Sequence, residues 1–273
     1  MQFANHFIDL NQPRVMGILN VTPDSFSDGG RHASTQQAVE HALCMVEQGA
    51  TFIDIGGEST RPGAKDVALQ EELDRTIPVI EALSARSDCV ISIDTSKPQV
   101  MTEAVNAGAK LINDVRALRE PGALKAAAEA KVPVCLMHMK GEPRTMQANP
   151  QYDDLISDVK GFLVERTAAC EQAGIDKSSI LLDPGYGFGK SLEHNYALVK
   201  YLPDIMALGL PVLVGMSRKS MIGKLLNRNV EERLAGSIAL ATITAQMGAH
   251  IIRVHDVQET ADAVNIVKML KKV

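Results

Sequence analysis

The chain has 273 residues, of which 45% are hydrophobic and 4% aromatic with no tryptophan, and it carries a formal net charge of −5. That hydrophobic share can build a large core, the acidic balance gives no basic field for nucleic acid, and no apolar run approaches the roughly 18 residues of a membrane span. Cys44, Cys89, Cys135 and Cys170 are scattered without paired spacing, and the N-terminus lacks a basic start followed by a long apolar stretch, so free thiols in the cytoplasm are expected.

Residues 1–13 alternate weakly at Phe3, Phe7, Ile8 and Leu10 and read as a short hairpin or plug ahead of the first strand. After a strand at 15–20, Ser34 followed by Gln37 predicts a capping box, and Val39, Ala42, Leu43 and Val46 predict one apolar helix face. From here a unit recurs: a helix closes on a Gly, a short apolar run follows, and the run ends on a polar residue. The clearest copies are 47–57, 106–115 and 246–256. A Gly able to take the left-handed cap ends the helix, and a run apolar on both faces is a strand of a parallel sheet. The second helix carries Leu73, Ile77 and Ile80 but also Pro78, which should bend or split it. Read this way, strands fall at 15–20, 52–56, 90–94, 111–114, 134–138, 180–183, 212–215 and 251–255. Eight strands with intervening helices predict a (β/α)8 barrel, one domain over 1–273, with the hairpin at its bottom. The polar ends Asn20, Asp94, Asn113, Asp114, His138, Asp183 and His255 should gather in a bowl at the C-terminal face. The long connections, 21–33, 58–68, 139–153 and 184–194, follow strands and lie on that same face.

Several motifs carry chemistry beside a plainer reading. Arg218 and Lys219 sit where a helix begins, and cations are disfavoured there. An anion resting over the turn would account for them, with Arg253 and His255 on one side of the last strand; a solvated charge cluster is the alternative. Asp94 either caps the next helix or faces the bowl, and Ser96 can supply the cap instead. Asp183 is read with Asp94 as functional, since buried carboxylates are rare unless bound. Asn113 is evenly balanced, and Asp114 points the other way and is structural. The stretch DPGYGFGKS fails as a nucleotide loop, because Pro184 and Lys190 stand where the two phosphate-loop patterns need Gly. Phe26, in a Gly-bearing polar loop, is either tucked onto the barrel or part of a lid. Thr60 and Arg61 on the Pro-stiffened second loop offer an oxyanion contact.

ILNVTPDSFSDGG, GGESTRPGA, IDTSKP, INDV, DPGYGFGK, GMSRKSMIG and IRVHDV, in this order, resemble the dihydropteroate synthase family over nearly the whole chain. The one departure is Tyr186, where Phe is also common. The resemblance implies a transferase of folate biosynthesis and sulfonamide target that joins 6-hydroxymethyl-7,8-dihydropterin diphosphate to p-aminobenzoate through a pterin methylene cation. It implies Asp94, Asp183 and Lys219 as catalytic, with Asn113, Met137, Phe188 and Gly215 completing the pterin pocket. Diphosphate falls to Asn20, Thr60, Arg61, Arg253 and His255, with Mg²⁺ on Asn20. p-Aminobenzoate falls to Phe26, Thr60, Pro62 and Ser220, beneath loops that close over diphosphate. A homodimer without nucleic-acid or membrane partners is implied. A pterin barrel that passes methyl groups between a folate and a corrinoid protein is the main rival, but it has no diphosphate to hold, and Arg61, Lys219, Arg253 and His255 speak against it. A non-catalytic partner subunit would not need polar groups at nearly every strand end.

Overall fold

The computed structural model describes residues 1–22, 30–59, 66–141, 146 and 150–273, with the backbone alone at 30–33. The expected hairpin is present: β1 (Gln2–Phe3) pairs antiparallel with β2 (His6–Phe7), and Phe3 meets Phe52 edge-on with ring centroids 5.1 Å apart. The barrel strands are β3 (Arg14–Asn20), β4 (Phe52–Gly56), β5 (Val90–Asp94), β6 (Leu111–Asp114), β7 (Val134–Met137), β8 (Ile180–Asp183), β9 (Leu213–Val214) and β10 (Ile251–Val254). The helices between and after them are α1 (Gly30–Glu47), α2 (Leu69–Ser84), α3 (Pro98–Ala107), α4 (Ala123–Ala130), α5 (Leu155–Gln172), α6 (Leu192–Lys200), α7 (Leu202–Met206), α8 (Ser220–Leu226), α9 (Leu234–Met247) and α10 (Val257–Lys272).

All eight strands run parallel in the order β8-β7-β6-β5-β4-β3-β10-β9. A bridge from Leu182 to Val212 brings the two ends together. The repeated unit forms as its residues dictate: α3 ends on Gly108 at φ 120°, a backbone conformation that costs glycine little, and β6 starts three residues later.

Alternation sorts each strand into two faces. Outward residues such as Ile53, Ile55, Ile91 and Ile93 pack under the helices. Inward, Met16, Phe52, Val90, Leu111, Cys135, Leu181, Leu213 and Ile251 give one apolar residue per strand and fill the barrel floor over Phe3 and Leu10. The interior changes from apolar to polar on going up from that floor.

One local expectation is corrected and another narrowed. Helix α1 begins at Gly30, so Ser34 lies within it and is not its cap; a capping pattern gives way where the residues before it can extend the helix. Helix α2 runs unsplit through Pro78. Losing one ladder bond is a cost that burial of Thr76, Val79, Ile80 and Leu83 against the barrel outweighs.

Candidate functional site

Two residues above the apolar floor, the same inward phase brings Asp54, Ser92, Asn113, Met137, Asp183, Gly215 and Arg253 into the barrel. Asn20, Gly56, Asp94 and Asn113 are successive register partners across β3, β4, β5 and β6. Of the residues expected from the sequence, the fold therefore gathers Asn20, Asp94, Asn113, Met137, Asp183, Gly215 and Arg253 in one bowl. His255 lies at the end of the same inward row, where its Nδ1 is 3.0 Å from Ser217 Oγ. Phe26, Thr60, Arg61 and Pro62 lie outside the described residues.

Asp54 was not singled out in the sequence, although its parity with Phe52 and Gly56 marks it as inward. It is fully buried and organises the floor of the site. Its Oδ2 accepts from Arg253 Nε at 2.5 Å and from Asn113 Nδ2 at 3.1 Å. Arg253 Nη2 donates to Asp94 Oδ2 at 2.8 Å. One guanidinium thus spans two carboxylates, and Asn113, having turned its amide donor down to Asp54, presents its oxygen as an acceptor. Asp54 Oδ1 makes no hydrogen bond among the described residues, a second acceptor for a donor-rich ligand. Burial, followed by the charge of Asp54, pushes the Asp94 pKa up to about 7, against the pull of Arg253.

Across the bowl, Asp183 accepts from Gly185 N at 2.7 Å. Burial raises its pKa, and Lys219 is the largest opposing influence. Lys219 donates to Tyr186 O at 2.6 Å and stands 4.6 Å above the centroid of Phe188. Burial lowers its pKa to about 8. Phe188 in turn packs on Val115, Met137, Met139 and Met146, so a flat apolar wall faces a carboxylate and an ammonium. Ser220 opens α8 and is exposed.

The structure corrects three sequence readings and keeps a fourth. His138 has the outward phase of Val134 and Leu136 and leaves the bowl; it packs edge-on to Phe162 at 5.0 Å. Asp114 also faces outward, as expected, and accepts from Ser96 Oγ and from the amides of Arg116 and Leu118. Ser96 is therefore not the cap of α3, which starts at Pro98 after an N-cap, Lys97, that makes no side-chain cap hydrogen bond. Arg218 needs no anion: it is paired with Asp256, Nε to Oδ2 at 2.9 Å.

Gly56 separates Asn20 from Asp94. A methyl group there would lie 3.8 Å from Asp94 Oδ2 and 3.9 Å from Asn20 Oδ1, so its absence keeps room between two hard oxygen donors. No group of three or more His, Cys, Asp or Glu able to hold a metal exists among the described residues. A Mg²⁺ that keeps its waters and binds one amide oxygen together with substrate phosphates fits such a rim.

Three comparisons bear on what this bowl is for. The pterin binding enzyme family matches residues 16–255. The dihydropteroate synthase of Escherichia coli strain K12 is 60% identical over 261 residues, covering 96% of this chain and 93% of that protein. The chain belongs to the dihydropteroate synthase family. Its fold agrees: the Yersinia pestis dihydropteroate synthase, solved with a sulfonamide drug, superposes with a TM-score of 0.96 at 56% identity, covering 100% of this chain and 99% of that one. The Xanthomonas albilineans dihydropteroate synthase, solved in complex with 7,8-dihydropteroate, gives 0.91 at 51% identity and covers 99% and 98%. This dihydropteroate synthase family member has no described helix long and apolar enough to cross a membrane.

Proposed function

We propose that the bowl performs the family's condensation, 6-hydroxymethyl-7,8-dihydropterin diphosphate with p-aminobenzoate to 7,8-dihydropteroate and diphosphate, with the following division of roles. The observation that carries this reading is the polarity of the interior. Acceptors on Asp54, Asn113 and Asp183 look toward the N–H-rich edge of a pterin, and Lys219 above Phe188 supplies the donor for its carbonyl side. A carboxylate and an edge of parallel N–H groups form paired charge-assisted bonds, and Met137 and Phe188 supply the apolar surface for the ring. Gly215 keeps the wall beside Arg253 flat, since a methyl group there would come to 3.8 Å from Arg253 Cβ.

The reaction then follows charge. The bond from the methylene carbon to the diphosphate oxygen breaks, and its electron pair leaves with diphosphate. The carbon becomes a cation conjugated with the pterin ring. Asp94 in its anionic form stabilises that cation. Arg253 holds Asp94 in place through Nη2 and keeps Nη1 for the departing diphosphate, beside His255 and, from the second loop, Thr60 and Arg61. Asn20 would hold Mg²⁺ at the rim, where the ion supplies positive charge for the leaving group. The neutral amine of p-aminobenzoate forms the new C–N bond and then loses its proton, so no strong base is required. Phe26, Thr60, Pro62 and Ser220 receive the benzoate.

Residues 1–273 act as one cytoplasmic domain in this reading, in keeping with four free cysteines. The active form is a homodimer. Exposed Ile243 and Met247 on α9 with Ile266, Met269 and Leu270 on α10 are apolar surface for a second copy to cover, and sedimentation would show the pair.

Calorimetry tests the reading. Dihydropterin diphosphate should bind more tightly with Mg²⁺ than without. p-Aminobenzoate should give heat only once diphosphate is present, and diphosphate should be released only with both substrates. Pterin affinity indifferent to diphosphate and Mg²⁺, without turnover, would point instead to a barrel that merely binds pterins.

A further inference from the structure

Lys190 ends the DPGYGFGK stretch and has no part in the roles above, yet it is only 2% exposed. A lysine reaches that depth only where acceptors surround its ammonium. Here Nζ donates to Gly185 O at 2.9 Å and Phe188 O at 3.0 Å, and it lies 2.9 Å from His138 Nδ1 and 3.3 Å from His138 O. Burial pushes the His138 pKa down to about 2, with Lys190 the next cause. The imidazole is therefore neutral and its Nδ1 accepts.

The loop is wrapped round this ammonium. Gly185 and Gly189 turn it at φ 72° and 64°, where a side-chain carbon would come within 1.9 Å of His138 O and 2.2 Å of Lys140 O. Outside, Tyr152 Oη donates to Gly189 O at 2.8 Å, and Asn195 Oδ1 accepts from Gly187 N at 2.6 Å. Two parts of the bowl hang from the same loop: the Phe188 ring and the Tyr186 carbonyl that holds Lys219.

We propose that Lys190 is a positioning residue for the pterin: by gathering the carbonyls of residues 185 and 188 it sets Phe188 and Lys219 against Asp183. This rests on the reading that Asp183, Phe188 and Lys219 meet the pterin. Binding and the charge on Lys190 are then linked, because a ligand that needs the wrapped loop favours the ammonium over the amine and must raise its pKa. Burial holds that pKa down at about 7, opposed by Asp183 and helped by Lys219, which leaves room for a rise. The titratable and charged groups facing it are His138 after β7, Asp183 at the end of β8 and Lys219 before α8; His138 in turn feels the charges of Lys140 and Arg119.

The test is an NMR titration of protein labelled at lysine Cε, with and without uncharged 6-hydroxymethylpterin, so that ligand charge does not itself move the midpoint. K190M identifies the Lys190 resonance, and K190R replaces it if K190M does not fold. Lys190 should titrate at a higher pH with pterin bound, and the substituted protein should bind pterin at least about tenfold more weakly, the scale of one lost charge-assisted bond. A merely structural lysine would lower stability and leave its midpoint unmoved by ligand. An unchanged midpoint, or affinity within about twofold of wild type, overturns the proposal. D183N run beside it separates the two readings. If D183N alone loses pterin, Lys190 has no positioning role and the pocket stands; if D183N keeps pterin, the pocket reading itself fails.

Discussion

Replacing Asp183 with Asn removes one acceptor and inserts a donor where the bowl already has donors. In the native arrangement Oδ1 accepts from Gly185 N at 2.7 Å, and Lys219 is the charge that stabilises it most. The amide oxygen of the substituted side chain can keep the Gly185 bond, so the loop should hold its course. Its NH₂ then faces both Lys219 and the N–H edge of the pterin. Losing a hydrogen bond to a charged acceptor costs about 1.5–3 kcal/mol, and leaving a buried donor unpaired adds about 1–3 kcal/mol. The sum is roughly 2.5–6 kcal/mol, or about two to four orders of magnitude in Kd. Folding should suffer little, because burial already disfavours the charged form of Asp183 and an amide is cheaper to bury. Calorimetry with 6-hydroxymethyl-7,8-dihydropterin reads the affinity, and urea unfolding reads the stability. Affinity within about threefold of wild type in a folded D183N would refute Asp183 as the pterin carboxylate.

In the proposed mechanism Asp94 must be ionised to stabilise the methylene cation, and its pKa is raised to about 7. kcat/KM should accordingly rise with pH through a midpoint near that value. D54N, which removes the like charge that is the second cause of the shift, should move the midpoint to lower pH; an unmoved midpoint would mean that another group controls the limb. R253M should leave Asp54 and Asp94 buried without their cation and lower stability at neutral pH by about 3–5 kcal/mol. That loss should shrink as pH falls and Asp94 takes up a proton, so equal destabilisation at acid and neutral pH in denaturant melts would contradict the bridge. H255A should weaken binding of the diphosphate substrate far more than binding of the free hydroxymethyl pterin, as follows if His255 meets only the leaving group. Equal losses for both ligands would place His255 against the pterin ring.

The sequence determined the barrel and most of the residues that face its bowl, because both depend on periodicity. Gly-ended helices followed by runs apolar on both faces leave parallel strands as the way to bury those runs, and parity then fixes which residues look inward. Asn20, Asp94, Asp183 and Arg253 were legible for that reason, while Asn113 stayed evenly balanced until the structure placed it. Parity also held the signal for two residues misjudged from sequence: Asp54 shares the inward phase of Phe52, and His138 the outward phase of Leu136. What parity does not contain is which atoms meet across the barrel. Arg253 bridges Asp54 and Asp94 from 199 and 159 positions away, and that contact opposes the burial that raises the Asp94 pKa. Arg218 reads as a cation waiting for an anion until Asp256 closes on it from 38 positions away. Lys190 reads as a failed phosphate-loop lysine until the loop is seen folded round its ammonium. Burial and the distance between charges decide the energy of each such group, and only the closed barrel supplies either.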